Sequence, residues 1–221
     1  MNVTLIPSFP APDKASLFSV MDAVKGQSKG FQVDFVDGIF VPFKSWPFSN
    51  SQVSDIESLS IYKDIYELEA DCMVANPEQY IDLLIETGFR RIIVHYGSTE
   101  NLLAIGKQLQ EAGILLGIAF TNNTPLETMI DIVAVVDYVQ IMGIREVGQQ
   151  GQPFDERTYE TVSELRKHFP LLEIAVDGGV NENTITGLIK AGANRVAPGS
   201  AITKADSPLD TYKHLLKLVS G

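Results

Sequence analysis

The chain has 221 residues, 45% of them hydrophobic and 20% charged, an ordinary globular composition that suits one α/β domain. Its net charge of −11 argues against general nucleic-acid binding and leaves a bound phosphate to be held mostly by local backbone N–H groups. A single cysteine, Cys72, excludes an internal disulfide framework and fits a reducing cytosol. Met1–Pro12 shows neither the basic lead nor the apolar core of a secretory signal, and no apolar run approaches the roughly 18 residues of a membrane helix. The expectation is a cytoplasmic protein with no membrane partner.

Apolar runs suited to strands alternate with amphipathic stretches along the whole length. Strands are predicted at Val3–Ile6, Phe31–Phe35, Ile65–Ala70, Arg91–His95, Leu115–Ala119, Tyr138–Met142, Glu173–Asp177 and Arg195–Ala197. Helices are predicted near 13–27, 50–60, 77–88, 99–112, 126–133, 155–168, 182–191 and 208–219. Pro77 and Pro125 sit where a first helical residue is expected, and Gly88, Gly113 and Gly192 follow helices as C-terminal caps. Eight β-α units with short connections predict a closed (β/α)8 TIM barrel occupying residues 1–221 as a single domain. A doubly wound open sheet is the less favoured architecture, because no dinucleotide glycine signature is present.

Phe31–Phe43, FQVDFVDGIFVPF, carries the most unusual strand. Gln32 and Asp34 share one face, and Phe31, Val33 and Phe35 the other. A carboxylate at the C-terminal end of a buried strand is costly unless paired, metal-bound or used chemically. Asp37, before Gly38, reads as a turn residue. The following Pro42–Phe48 segment is either a loop packed down by its aromatics or a lid, and Gly143–Pro153 is a second candidate ligand loop.

Val176-Asp177-Gly178-Gly179-Val180 ends another strand in a carboxylate and paired glycines. Ala197-Pro198-Gly199-Ser200-Ala201 ends the next in a small-residue turn. Loops after the last two strands form the usual phosphate site of such barrels, so the amides of Gly178, Gly179, Gly199 and Ser200 are expected to cradle a phosphate. Asp34 and Asp177 would face a ligand from nearly opposite sides of the mouth. That is the arrangement needed to invert a carbon beside a carbonyl, one carboxylate removing a proton and the other delivering one.

The segments VDFVDGIFVP, MVANPEQYI, IIVHYG, NTPLE, VDGGVNENT and AGANRVAPGSAI together resemble the ribulose-phosphate 3-epimerase family. The similarity runs from Pro7-Ser8 to about Ile202. It implies a phosphate-binding (β/α)8 barrel that interconverts ketose phosphates at C3 through an ene-diolate. It also implies that Asp34 and Asp177 are the acid/base pair and that Ser8 and Gly151 join the phosphate contacts. The family holds a divalent metal between those aspartates and two histidines. Here the histidine positions are Gln32 and Asp71, while His95 is kept.

The metal-ligand set expected at these positions is therefore Asp34, Asp71, Asp177 and Gln32, all oxygen donors. That chemistry favours Mg²⁺, Mn²⁺ or Ca²⁺ over Zn²⁺ or Fe²⁺, with no organic cofactor. Without a metal, three clustered carboxylates would repel, unless Lys44 or Arg145 reached in from a loop. Glu69 reads as a hydrogen-bonded structural carboxylate. The expected partner is a small sugar phosphate, with homo-oligomerisation left open. Two readings stand: a ketose-phosphate epimerase of the isomerase class, or a non-catalytic or altered-reaction sugar-phosphate-binding barrel that has lost the metal centre. A lyase reaction ranks last, since the chain has no Asp-x-Lys-x-x-Asp arrangement.

Overall fold

The computed structural model describes residues 3–220. Nine strands form one all-parallel sheet: β1 (Thr4–Leu5), β2 (Ser8–Phe9), β3 (Gly30–Val36), β4 (Glu67–Met73), β5 (Arg91–His95), β6 (Leu115–Thr121), β7 (Tyr138–Met142), β8 (Glu173–Asp177) and β9 (Arg195–Ala197). The first strand of the ring is broken at Ile6-Pro7: β1 lies within the predicted Val3–Ile6, whereas β2 lies beyond its predicted end. β1 pairs with β9, through Thr4↔Arg195 and Leu5↔Val196, and β2 with β3, through Ser8↔Gln32 and Phe9↔Val33. This shared strand closes the sheet into the (β/α)8 barrel.

The connecting helices are α1 (Lys14–Val24), α2 (Ile81–Thr87), α3 (Leu102–Ala112), α4 (Leu126–Val133), α5 (Arg157–His168), α6 (Ile185–Ala191), α7 (Ser200–Thr203) and α8 (Pro208–Ser220). Gly88, Gly113 and Gly192 adopt left-handed conformations at the ends of α2, α3 and α6, as expected of C-terminal glycines. Pro125 precedes α4 as its cap residue instead of opening it. The predicted helix near 50–60 is a 3₁₀ segment, Val53–Tyr62, and α7 is a short helix where only a turn is expected from the sequence.

Strand parity sorts the side chains as the pleat requires. Phe31, Val33, Phe35, Leu68, Ile92, Val94, Val139 and Val176 point outward into the apolar core under the helices. At about 1.5–3 kcal/mol for each fully buried large side chain, that layer is the main stabiliser of the barrel. The inward positions hold a smaller apolar cluster of Ile93, Ala119, Tyr138 and Met142 beside many polar groups. Gly117 faces the Tyr138 ring, and a side chain there would collide with it.

The lower part of the barrel interior is a buried charge cluster. Glu69 accepts from Arg91 Nε at 2.6 Å and lies 3.2 Å from Arg195. Arg91 also pairs with Glu173 and stacks 3.9 Å over the Tyr138 ring. Glu69 is thus a paired structural carboxylate, as anticipated.

Candidate functional site

Above this charged floor, β3, β4 and β8 deliver Asp34, Asp71 and Asp177 to one place. All three are buried, and one oxygen from each lies within 4.8 Å of the others. Although Asp34 and Asp177 stand on separated strands, one donor spans them: Gln32 Nε2 lies 2.9 Å from Asp34 Oδ1 and 2.9 Å from Asp177 Oδ2. Asp177 Oδ1 also accepts from Ser8 Oγ at 3.1 Å and from its neighbour's amide, Gly178 N, at 2.7 Å. Asp71 is held by His95 of the adjacent β5, whose Nε2 lies 2.8 Å from Oδ1, and by Gln140 of β7, whose Nε2 lies 2.9 Å from Oδ2.

Neither loop cation enters this cluster. Arg145 is exposed and lies 3.8 Å from Asp155, and Lys44 lays its side chain over Gly38. Side-chain amides stand where those cations were expected. Gln140 was not anticipated, although its parity with Tyr138 and Met142 on a predicted strand places it inside the barrel.

Burial, with Asp177 and Asp71 close by, pushes the Asp34 carboxyl well above the ordinary carboxylate range. Asp177 is raised to about 7, first by burial and then by Asp71, against the opposing hydrogen bonds from Ser8, Gly178 and Gln32. At neutral pH the pair therefore retains a proton that two exposed aspartates would have lost.

The carboxylates open onto a cleft of about 440 Å³ lined by Ser8, Asp34, Asp177, Met73 and Met142. Its other wall is built by Gly148–Gly151, Gly178–Val180, Gly199 and Ser200. All the residues expected to hold phosphate thus line this one cleft. Gly178 and Gly179 have φ of +91° and +69°, where a side chain would strain the backbone. The N–H of Gly178, however, is directed at Asp177 and not into the cup.

Asp37 behaves as a turn residue, accepting from Ile39 N and Phe40 N at 2.7 and 2.9 Å and from Ala75 N at 2.8 Å. The segment after it is packed down. Ser45 Oγ donates to Asp34 O at 2.7 Å, Trp46 is buried, and Phe48 packs on Tyr80 with ring centroids 5.5 Å apart. Of the two readings of Pro42–Phe48, the aromatic-packed loop describes it. Gly143–Pro153 does reach the cleft, through Ile144 and Gly148–Gly151.

A family model described as the ribulose-phosphate 3 epimerase family matches residues 4–203. The chain belongs to this family. Among its relatives, the ribulose-phosphate 3-epimerase of Schizosaccharomyces pombe is 34% identical, over 97% of this chain and 93% of that protein. The cytoplasmic isoform of ribulose-phosphate 3-epimerase from Oryza sativa is 30% identical, over 98% of this chain and 94% of the relative. In fold, KGPDC from Streptococcus mutans matches with a TM-score of 0.80 at 12% identity, over 99% of this chain and 97% of that one. 3-Hexulose-6-phosphate synthase matches with a TM-score of 0.73 at 18% identity, over 99% of each chain. Membership in the epimerase family supports an isomerase acting on ketose phosphates. No helix among the described residues is long and apolar enough to cross a membrane.

The epimerase family implies a divalent metal, and the donor set here suits a hard cation. Two ligands of one ion bonded at about 2.0–2.6 Å stand no more than about 5 Å apart, a limit the three carboxylates meet, with one oxygen from each within 4.8 Å of the others. Gln32 Oε1 is buried without a hydrogen-bond partner, and turning the amide over would direct it toward the same carboxylates.

Proposed function

We propose that this chain epimerises a ketose phosphate at C3, ribulose 5-phosphate/xylulose 5-phosphate or a close analogue, with Asp34 and Asp177 as the acid/base pair. The observation that supports this most is the single Gln32 amide that tethers two buried carboxylates, both with raised pKa, at the wall of one cleft. Two such groups share a proton at neutral pH, so one serves as base while the other serves as acid.

Asp177 accepts hydrogen bonds from Ser8, Gly178 and Gln32, whereas Asp34 Oδ1 accepts from Gln32. The better-solvated charge belongs on Asp177, which makes it the base of the resting protein and Asp34 the acid. Asp177 takes the C3 proton from one face, and Asp34 gives its proton to the opposite face of the resulting ene-diolate. The other epimer runs the same steps with the roles exchanged. The glycine-lined wall holds the phosphate through local N–H groups, fixing C3 between the two carboxyls. When Asp34, Asp71, Asp177 and the Oε1 of Gln32 hold Mg²⁺, Mn²⁺ or Ca²⁺, the ion supplies positive charge at the developing oxyanion.

The test is wash-in of solvent deuterium at C3 of ribulose and allulose phosphates, with and without Mg²⁺ or Mn²⁺. Wild type should exchange, while D34N and D177N should each lose about 10²–10⁴-fold in rate and still bind substrate. Stabilisation by sugar phosphates with no exchange under any metal would replace the epimerase reading with that of a binding barrel.

A further inference from the structure

We propose that Gln150 is a phosphate ligand, a side-chain arm that this chain adds to its otherwise backbone-built cup. This rests on the phosphate reading of the cleft and names a residue for it outside the glycine turns.

Gln150 lies in the loop between β7 and α5 and lines the same cleft as Ser8, Gly179, Gly199 and Ser200. One end of its amide is anchored: Thr203 Oγ1, on α7, donates to Gln150 Oε1 at 3.1 Å. That bond directs Nε2 inward. A Cβ built on Gly199 would stand 2.6 Å from Gln150 Nε2 and 3.1 Å from Ser8 Oγ, so the amide lies directly over the glycine, next to the serine hydroxyl. There Nε2 is buried with no hydrogen-bond partner. A buried N–H₂ group is costly when unpaired, and an anion is the partner that its two hydrogens would share.

A second observation points to the same ligand charge. Lys204, directly after Thr203, carries its Nζ to 3.1 Å from the position of a Cβ on Gly151, at the rim of the cup. Among the described residues it forms no ion pair, although the chain is strongly acidic.

The decisive measurement is calorimetric titration of inorganic phosphate into wild type, Q150L, Q150E and T203V. Melting temperatures without phosphate serve to show that each variant is folded. Wild type should bind phosphate. Q150L should bind about tenfold or more weakly, as expected for loss of a hydrogen bond to a charged group. Q150E keeps an acceptor for Thr203 but places a carboxylate in the cup, and should bind more weakly still. T203V should fall between wild type and Q150L, since it frees the amide without removing it. KM for a ketose phosphate should rise in the same order. Folded Q150L that binds phosphate like wild type would overturn the assignment, even if Q150E were weaker. Wild type that binds no phosphate would overturn the phosphate cup itself and Gln150's part in it.

Discussion

Gln32 and Asp177, 145 residues apart in the chain, meet inside the barrel through a 2.9 Å hydrogen bond from Nε2 to Oδ2. The same nitrogen donates to Asp34, so removing it leaves two buried carboxyls each short of a donor. Replacing Gln32 by leucine, which is similar in size, should lower the unfolding free energy by about 2 kcal/mol or more at pH 8. At pH 5 the loss should be smaller, because both carboxyls are then protonated. Urea unfolding at the two pH values measures the difference, and equal losses would show that the bond does not serve carboxylate charge.

The shared proton has its own consequence for stability. In the unfolded chain Asp177 ionises near its ordinary value of 3.8, and in the folded protein near 7. Between those values the folded state binds the additional proton. The part of the stability without metal that Asp177 contributes should therefore fall as pH rises from about 4 to about 7 and level off above that. Asp34, raised in the same direction, adds to the slope. D177N should flatten it. Thermal unfolding in chelator across this range is the check, and a contribution that climbs toward neutral pH would contradict the raised carboxyls.

Divalent ions should act on the same slope. At about 100 times its dissociation constant, an ion bound only by the folded protein adds about 2.7 kcal/mol. Mn²⁺, Mg²⁺ or Ca²⁺ should raise the melting temperature most at pH 7–8, where the carboxylates are available to it. D71N should lose most of that shift, and Q32H, which restores a nitrogen donor, should move the preference toward Zn²⁺. An unchanged melting temperature at millimolar levels of all three ions would remove the metal from the site.

Below the cleft, Arg91 holds the fully buried Glu69 at 2.6 Å. Truncating Arg91 to methionine leaves Glu69 with Arg195 and the Tyr138 hydroxyl and should cost about 3 kcal/mol or more. Guanidinium unfolding measures that loss. If the floor is purely a scaffold, the folded fraction of R91M should retain near-normal kcat.

Much of this is readable in the sequence because strands announce their inward face by parity. Gln32 with Asp34, and the strand-end Asp177 before two glycines, locate the carboxylates before any coordinates do. The strands at Arg91–His95, Tyr138–Met142, Glu173–Asp177 and Arg195–Ala197 begin and end where their apolar patterns do. What parity cannot supply is which inward residues meet across the ring. Asp71 is met by His95 and Gln140 from strands 24 and 69 residues away, a pairing set by barrel tilt and not by local pattern. Arg145 departs from expectation for a related reason. A charged loop residue takes the nearest carboxylate, and Asp155 is nearer than the cluster.

The split of the first strand ties the cleft to the completion of the ring. Thr4–Leu5 has its partner only in Arg195–Ala197, and Ser8, a short step further along the chain, needs Asp177 for its hydroxyl. A chain still emerging from the ribosome can pair β3 through β8 side by side without bringing its own beginning to its end. The cup and the carboxylate pair share a wall only after that seam is sewn. On the phosphate reading of the cup, ligand affinity would thus also report ring closure: a species with native helices and an open seam would hold no phosphate.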